Sequence, residues 1–270
     1  GAWNTVSVHP SGSPSIVGDG NSATRKLASF LITPTTANPA LGSPFNLGSA
    51  TAFSSVFSQN GNYLYAGGNA FNNLVAGFSV NAATGVLTAL AGSPINSGAT
   101  NPLAYATDVS GRLLMANFDA GQVRAFTTLD GAPSAVPGNP FTSGLASANH
   151  GVLHPGGFYL VGERKSNVGV YRINGSGSAT TLSAVAGSPF NSGGVETGVL
   201  ALNQTGAFLF AADGSNRNVK TFSVNSTTGE LTLAGALPAN SAGVAGRLNG
   251  MAYFAPRCET VSLTPATLPN

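Results

Sequence analysis

The sequence is short of charge. Asp, Glu, Lys and Arg make up 7% of its 270 residues, against about 25% in an ordinary soluble domain. The 11 basic residues are scattered, and Arg164-Lys165 is the nearest approach to a cluster. Nucleic-acid binding needs grouped cations to displace counterions from phosphates, so no nucleic-acid partner is expected. A single cysteine, Cys258, excludes an internal disulfide framework and a thiolate metal cluster. It is either an unpaired thiol or the partner of a cysteine outside the chain. No run of about 18 apolar residues occurs, so no segment reads as a membrane-spanning helix. Neither an initiator Met nor a signal peptide opens the chain, which is expected to begin inside a longer precursor. Gly-x-Ser-x-Gly elbows, P-loops and dinucleotide fingerprints are missing too, which leaves acyl-enzyme and nucleotide chemistry without local support.

What replaces charge is Gly, Ala, Ser, Thr and Asn, alongside a hydrophobic fraction of 42% with 15 Phe and 6 Tyr. Disordered chains lack aliphatic and aromatic residues, so this one is expected to fold. A surface of hydroxyls and amides suits a secreted, cell-surface protein. The chain is long enough to bury a large single core.

Three landmarks recur in fixed order. A turn glycine precedes a short apolar run at Gly12, Gly61, Gly111, Gly156 and Gly206, at spacings of 49, 50, 45 and 50. An alternating strand carries a central aromatic at Phe30, Phe78, Phe126, Tyr171 and Phe222. A Gly-Ser-Pro-Phe-like corner follows, with prolines at 44, 94, 140, 189 and 238. Each repeat reads as four antiparallel strands. Strand A precedes the glycine, strand B follows it, and strand C carries the aromatic, as in Asn218–Val224. Strand D ends at the corner, because proline cannot donate to a ladder. A four-stranded sheet cannot bury both faces alone, and radial stacking leaves only short edges. The expectation is an all-β protein, a β-propeller over residues 1–257 with five visible repeats. A stacked solenoid would use shorter repeats, and tandem sandwiches would show a two-repeat period. A sixth strand A, Met251–Pro256, has no strands B to D after it. Either five blades close with an extra strand, or blades have been lost from a larger ring.

The sequence of turn glycine, aromatic strand, Asn-x-x-Thr-Gly loop (Asn81–Gly85, Asn225–Gly229) and Gly-Ser-Pro-Phe corner resembles the YVTN/lactonase-like bacterial propellers, which include 6-phosphogluconolactonase-type enzymes. The resemblance covers residues 4–256 and implies the fold more specifically than an activity. Family members commonly have seven blades. The resemblance further implies a site in which a His precedes a strand A and an acidic residue follows the paired strand B. Asn149-His150 and Glu163 stand at those places. The next repeat should supply an Arg-His pair and an Asn-Glu, but reads Glu196-Thr197 and Ala212-Asp213. Without that Arg a developing oxyanion would lack its cation. Residues 258–270 read as a linker or the start of a following domain, and Val261–Asn270 resembles the opening of bacterial Ig-like modules.

Two constellations stand out. Strands A and B form a hairpin, so the end of every strand B lies at one rim. Asp19, Glu163 and Asp213 align there, Asn117 and Asp119 flank the equivalent position of the third repeat, and Asn69 is close by in the second. This rim would bind a hard cation such as Ca²⁺, or a polyhydroxylated ligand. Its other reading is that Asp, Asn and Gly are the residues turns need. Second, His150 and Glu163 should face each other, with Arg164 adjacent, as a general base and its orienter, or as a structural pair. His9 and His154, each before a proline, read as turn residues. Trp3 reads as core or as a sugar-stacking ring, and the sequons at Asn174, Asn203 and Asn225 as accidents of composition. The reading is a non-catalytic extracellular propeller that binds other domains, subunits or carbohydrate at a bacterial surface. The alternative is a lactonase-like hydrolase centred on His150 and Glu163.

Overall fold

A computed structural model describes residues 3–19, 23–68, 73–239 and 251. Asn69, Cys258, the expected sixth strand beyond Met251, the 257/258 boundary and the tail lie outside them, as does the Trp3 side chain. Five antiparallel sheets follow one another along the chain. Strands A, B and C are Trp3–Val8, Ser15–Asp19 and Lys26–Ile32 in the first blade, and Ser54–Phe57, Tyr63–Gly67 and Leu74–Val80 in the second. The third blade has Pro102–Thr107, Arg112–Asn117 and Gln122–Thr127. The fourth has Ala148–His154, Phe158–Glu163 and Asn167–Asn174, and the fifth Thr197–Leu202, Phe208–Asp213 and Asn218–Val224. Strands A of successive blades pack side by side, from the first to the fifth. One three-residue 3₁₀ turn, Gly177–Ala179, is the only helical element among the described residues.

The aromatic landmark fixes the register. Phe30, Phe78, Phe126, Tyr171 and Phe222 pair with Ser15, Leu64, Leu113, Tyr159 and Leu209 of their strands B. They occupy one equivalent place in all five blades. The last four are buried between neighbouring sheets. Phe30 is half-buried; among the described residues no blade precedes its own.

The fourth strand departs from the expectation. Strand D does not end at the proline corner in the first four blades; it breaks there and resumes. Ala37–Pro39 and Phe45–Asn46 both pair with strand C of the first blade, and the second to fourth blades repeat the arrangement. The interruption would strand one strand-C N–H in each blade, and a buried unpaired donor is costly. The residue before each proline supplies the missing acceptor. The N–H groups of Ser29, Gly77, Ala125 and Val170 donate to Ser43 Oγ (3.0 Å), Ser93 Oγ (2.8 Å), Asn139 Oδ1 (3.0 Å) and Ser188 Oγ (2.9 Å). In the fifth blade Leu237 stands before the proline and offers no such oxygen. There strand D runs as one piece, Leu231–Ala236.

Successive blades are also stapled through side chains. His9 and His154 donate Nε2–H to the turn carbonyls of Gly61 and Gly206 in the next blade, at 3.1 Å each. Nδ1 of His154 accepts the Gly156 N–H at 2.8 Å. Both histidines are therefore turn residues that also lock blade to blade. Tyr65 and Tyr159 donate to the carbonyls of Gly131 and Ala104 across the second and third interfaces. A Cβ at Gly151 would collide with the Ala104 carbonyl, which is why the inner strands of the third and fourth blades can approach so closely.

Phe126→Ala should cost about 3–5 kcal/mol of unfolding free energy, as buried Phe truncations do, and Phe30→Ala clearly less; urea unfolding of both checks this. Ser188→Ala should lower stability by about 1–3 kcal/mol by orphaning the Val170 N–H. Ser188→Asn, which copies Asn139 of the third blade, should restore most of it in the same assay.

Candidate functional site

The rim acids occupy matching places. Asp19, Glu163 and Asp213 pair with Trp3, Ala148 and Thr197 at the start of strand A. In the third blade that place belongs to Asn117 itself, opposite Pro102. The expected position one residue later is corrected, because strand B there ends at Asn117. Asp119 lies beyond it, exposed.

These side chains are turned to internal work. Glu163 is buried; its Oε2 accepts the Ala146 N–H at 2.9 Å and its Oε1 the Asn167 amide at 2.5 Å. Asp213, also buried, accepts the N–H groups of Val195 (2.9 Å), Glu196 (3.3 Å) and Asn216 (3.1 Å) and the Asn216 amide (2.7 Å). Burial raises its pKa, but those four donors outweigh burial and hold it below the usual carboxylate value. Asn117 Oδ1 accepts from Thr100, Asn101 and Asp119, and Asp19 from the Thr24 hydroxyl. Each residue ties the start of its own B–C turn, and in the later blades also the loop entering strand A. Among the described residues no three His, Cys, Asp or Glu side chains gather closely enough to hold a metal ion.

The expected His150–Glu163 pair does not form. A bulge in strand A lies between Ala148 and His150, so Glu163 stands opposite Ala148 while His150 pairs with Gly162. Glu163 bonds the loop at Ala146, whereas His150 Nδ1 accepts the Leu200 N–H of the fifth blade at 3.3 Å. A neutral imidazole that accepts at Nδ1 carries its proton at Nε2. Surrounding protein strips water from the ring and lowers its pKa from 6.5 to about 4.

His150 instead shares an axial cavity of about 690 Å³ with Arg164. All five inner strands line it, through Thr5, Ser55, Tyr105, His150 and Val199, and Met251 reaches it too. Phe53 and Phe118 add aromatic rings, and Asn149 an amide. Arg164 is the one charged residue of the described lining. Its guanidinium sits 5.8 Å over the Phe118 ring, and its Nε is 3.8 Å from Glu196 Oε1. The side chain keeps 47% of its surface exposed. Asn149 donates to the Gly198 carbonyl at 2.9 Å, an engagement that uses its amide nitrogen and not its oxygen. Of this set the sequence marked Asn149, His150 and Arg164. Tyr105, Phe53 and Phe118 belong to no motif; their shared signal is position, on or just outside strands A and B.

Because His150 takes up its proton in the unfolded chain near pH 6.5 and in the folded one near 4, the unfolded state binds more protons between those values. The stability of the protein should fall as the pH drops from about 6.5 to 4. Proton NMR titration of the His150 ring and urea unfolding across that window measure it. His150→Asn should remove this part of the pH dependence.

No known family matches the chain in sequence, and neither does any curated protein. Solved structures do match it in shape. A Bacteroides uniformis protein provisionally assigned as a 6-phosphogluconolactonase superimposes with a TM-score of 0.67 at 18% identity, over 84% of this chain and 68% of that one. The periplasmic gluconolactonase PpgL of Pseudomonas aeruginosa gives 0.66 at 16%, over 87% and 69%. The β-propeller domain of Cps50 (Swd1) from Myceliophteria thermophila gives 0.59 at 10%, over 87% and 73%. The chain has the fold of the lactonase-like β-propellers.

Proposed function

We propose that the chain is a non-catalytic, extracellular β-propeller that binds small hydroxylated ligands, carbohydrate-like in chemistry, in its axial cavity. The observation that carries this reading is the engagement of Glu163 with Ala146 and Asn167. A general base needs a carboxylate or imidazole lone pair within reach of water. Here the only imidazole of the cavity presents an N–H, and the acid expected beside it is spent on a loop. What remains is a set of donors (His150 Nε2–H and the Arg164 guanidinium), the Asn149 amide oxygen, and two aromatic rings. Such a set recognises hydroxyl and carbonyl oxygens and stacks on a sugar face. Export is supported by the sparse charge of the sequence and by the periplasmic location of one similar structure.

The second reading, a lactone hydrolase, is favoured by the fold shared with a gluconolactonase and by Arg164. That side chain puts a cation into the cavity even though the next repeat lacks the one expected there, and a cation could stabilise an oxyanion. The two readings separate with D-glucono-1,5-lactone and D-gluconate as probes. Expected are calorimetric binding, weakened at least tenfold in Asn149→Ala/Arg164→Met, and lactone loss no faster than spontaneous hydrolysis. Turnover above that background that disappears in His150→Ala would establish the hydrolase instead.

A further inference from the structure

Two backbone positions frame the rim end of each inner strand, and the third, fourth and fifth blades use them for the same hydrogen bond. The carbonyl of the residue just before strand A accepts the N–H of the residue just after strand B. Asn101 accepts from Phe118 at 3.0 Å, Ser147 from Arg164 at 2.9 Å and Glu196 from Gly214 at 2.9 Å. Residues with amide, hydroxyl and carboxylate side chains perform this backbone task alike, so the turn does not require an acid at Glu196. The carboxylate is nevertheless held in place. Its side chain is only 9% exposed; Oε2 accepts the Ser215 hydroxyl at 3.0 Å, and Oε1 lies 3.8 Å from Arg164 Nε. Arg164 thus reaches from the fourth blade to this acid of the fifth, with its guanidinium 5.8 Å over the Phe118 ring of the third.

A guanidinium carries five N–H donors, and that of Arg164 makes no hydrogen bond among the described residues. Its donors are left for a ligand, while its charge is offset by an acid that stands behind it, outside the described lining of the cavity. A carboxylate largely removed from water is screened less than an exposed one, so its field reaches whatever Arg164 binds. Hydroxyl and carbonyl oxygens accept from the guanidinium with little regard to that field, whereas an anionic oxygen is repelled by it. On the reading that the cavity binds ligands, we propose that Glu196 is a specificity-determining residue: it holds and offsets Arg164, so that the cavity takes neutral hydroxylated ligands in preference to the matching carboxylates. Arg164 touches the ligand, and Glu196 acts through it.

Methyl α-D-glucopyranoside and its uronate, in which a carboxylate replaces the exocyclic hydroxymethyl group, are matched probes. Calorimetric titration of the full chain should show the neutral glycoside bound several-fold more tightly than the uronate. Glu196→Gln keeps an oxygen for Ser215 and removes the charge. It should shift the ratio of the two affinities toward the uronate on the order of tenfold, the scale of one unit charge roughly 10 Å away at an effective dielectric near 20. The ratio is the readout, because a purely structural change would weaken both probes alike. Glu196→Asp, which keeps the charge, should retain the wild-type preference, and Arg164→Gln should move it further toward the neutral glycoside. Circular dichroism verifies that each variant folds. A wild type that prefers the uronate, or a ratio that Glu196→Gln leaves unchanged, overturns the inference and leaves the ligand-binding reading in place. A wild type that binds neither glycoside overturns that reading, and the inference with it.

Discussion

A twisted four-stranded antiparallel sheet with apolar residues on both faces cannot be stable by itself, because one face at least stays wet. Everything else in this molecule follows from that constraint. Each blade is made a partner of the next, and the row of ring side chains at one register position fills the space between them. Phe78, Phe126, Tyr171 and Phe222 are buried there because a blade stands on that side; Phe30, which no described blade precedes, is only half-buried. Burial of a Phe side chain contributes on the order of 2–3 kcal/mol, so each blade gains from carrying a ring at this place in the period of about fifty residues. The hydroxyl and histidine staples, Tyr65 to Gly131 and His154 to Gly206 among them, then set the height at which neighbours meet.

The same constraint explains the corner motif. An outer strand must be short and interrupted if it is not to pair with another protein. The proline interrupts it, and the preceding Ser or Asn keeps the interruption from orphaning a strand-C amide. Gly-Ser-Pro-Phe is thus a hydrogen-bonding device rather than a binding signature. Its loss before Pro238 coincides with an unbroken strand in the fifth blade, which is what the physical account requires.

Much of this was legible in the sequence. Strands A to C and the aromatic positions follow from three landmarks in one period, since a two-residue alternation leaves little freedom of register. The site was less legible, and for a specific reason. A bulge between Ala148 and His150 shifts the inner strand against its neighbour, and no residue pattern announces a bulge. That shift takes Glu163 away from His150 and gives it to the Ala146 N–H. The split of strand D was hidden because it depends on a side chain acting as a strand. Arg164 was visible only as a neighbour of Glu163; its contact with the Phe118 ring joins two blades and has no local trace.

The burial of the rim acids carries the last consequence. A carboxylate that accepts several N–H groups is stabilised as an anion without any cation nearby. Asp213 with its four donors is such a case, and Glu163 likewise has both oxygens engaged by its own blade. Aligned acids in a repeat protein therefore need not be a ligand set: radial repetition aligns whatever a turn requires. The opposite holds for Arg164 and His150. They occur once, at aligned positions where the other blades carry different residues, and the turn does not need them. In a repeat fold the side chains that break the pattern while facing the axis are the ones free to serve a ligand, and in this chain both line the same cavity.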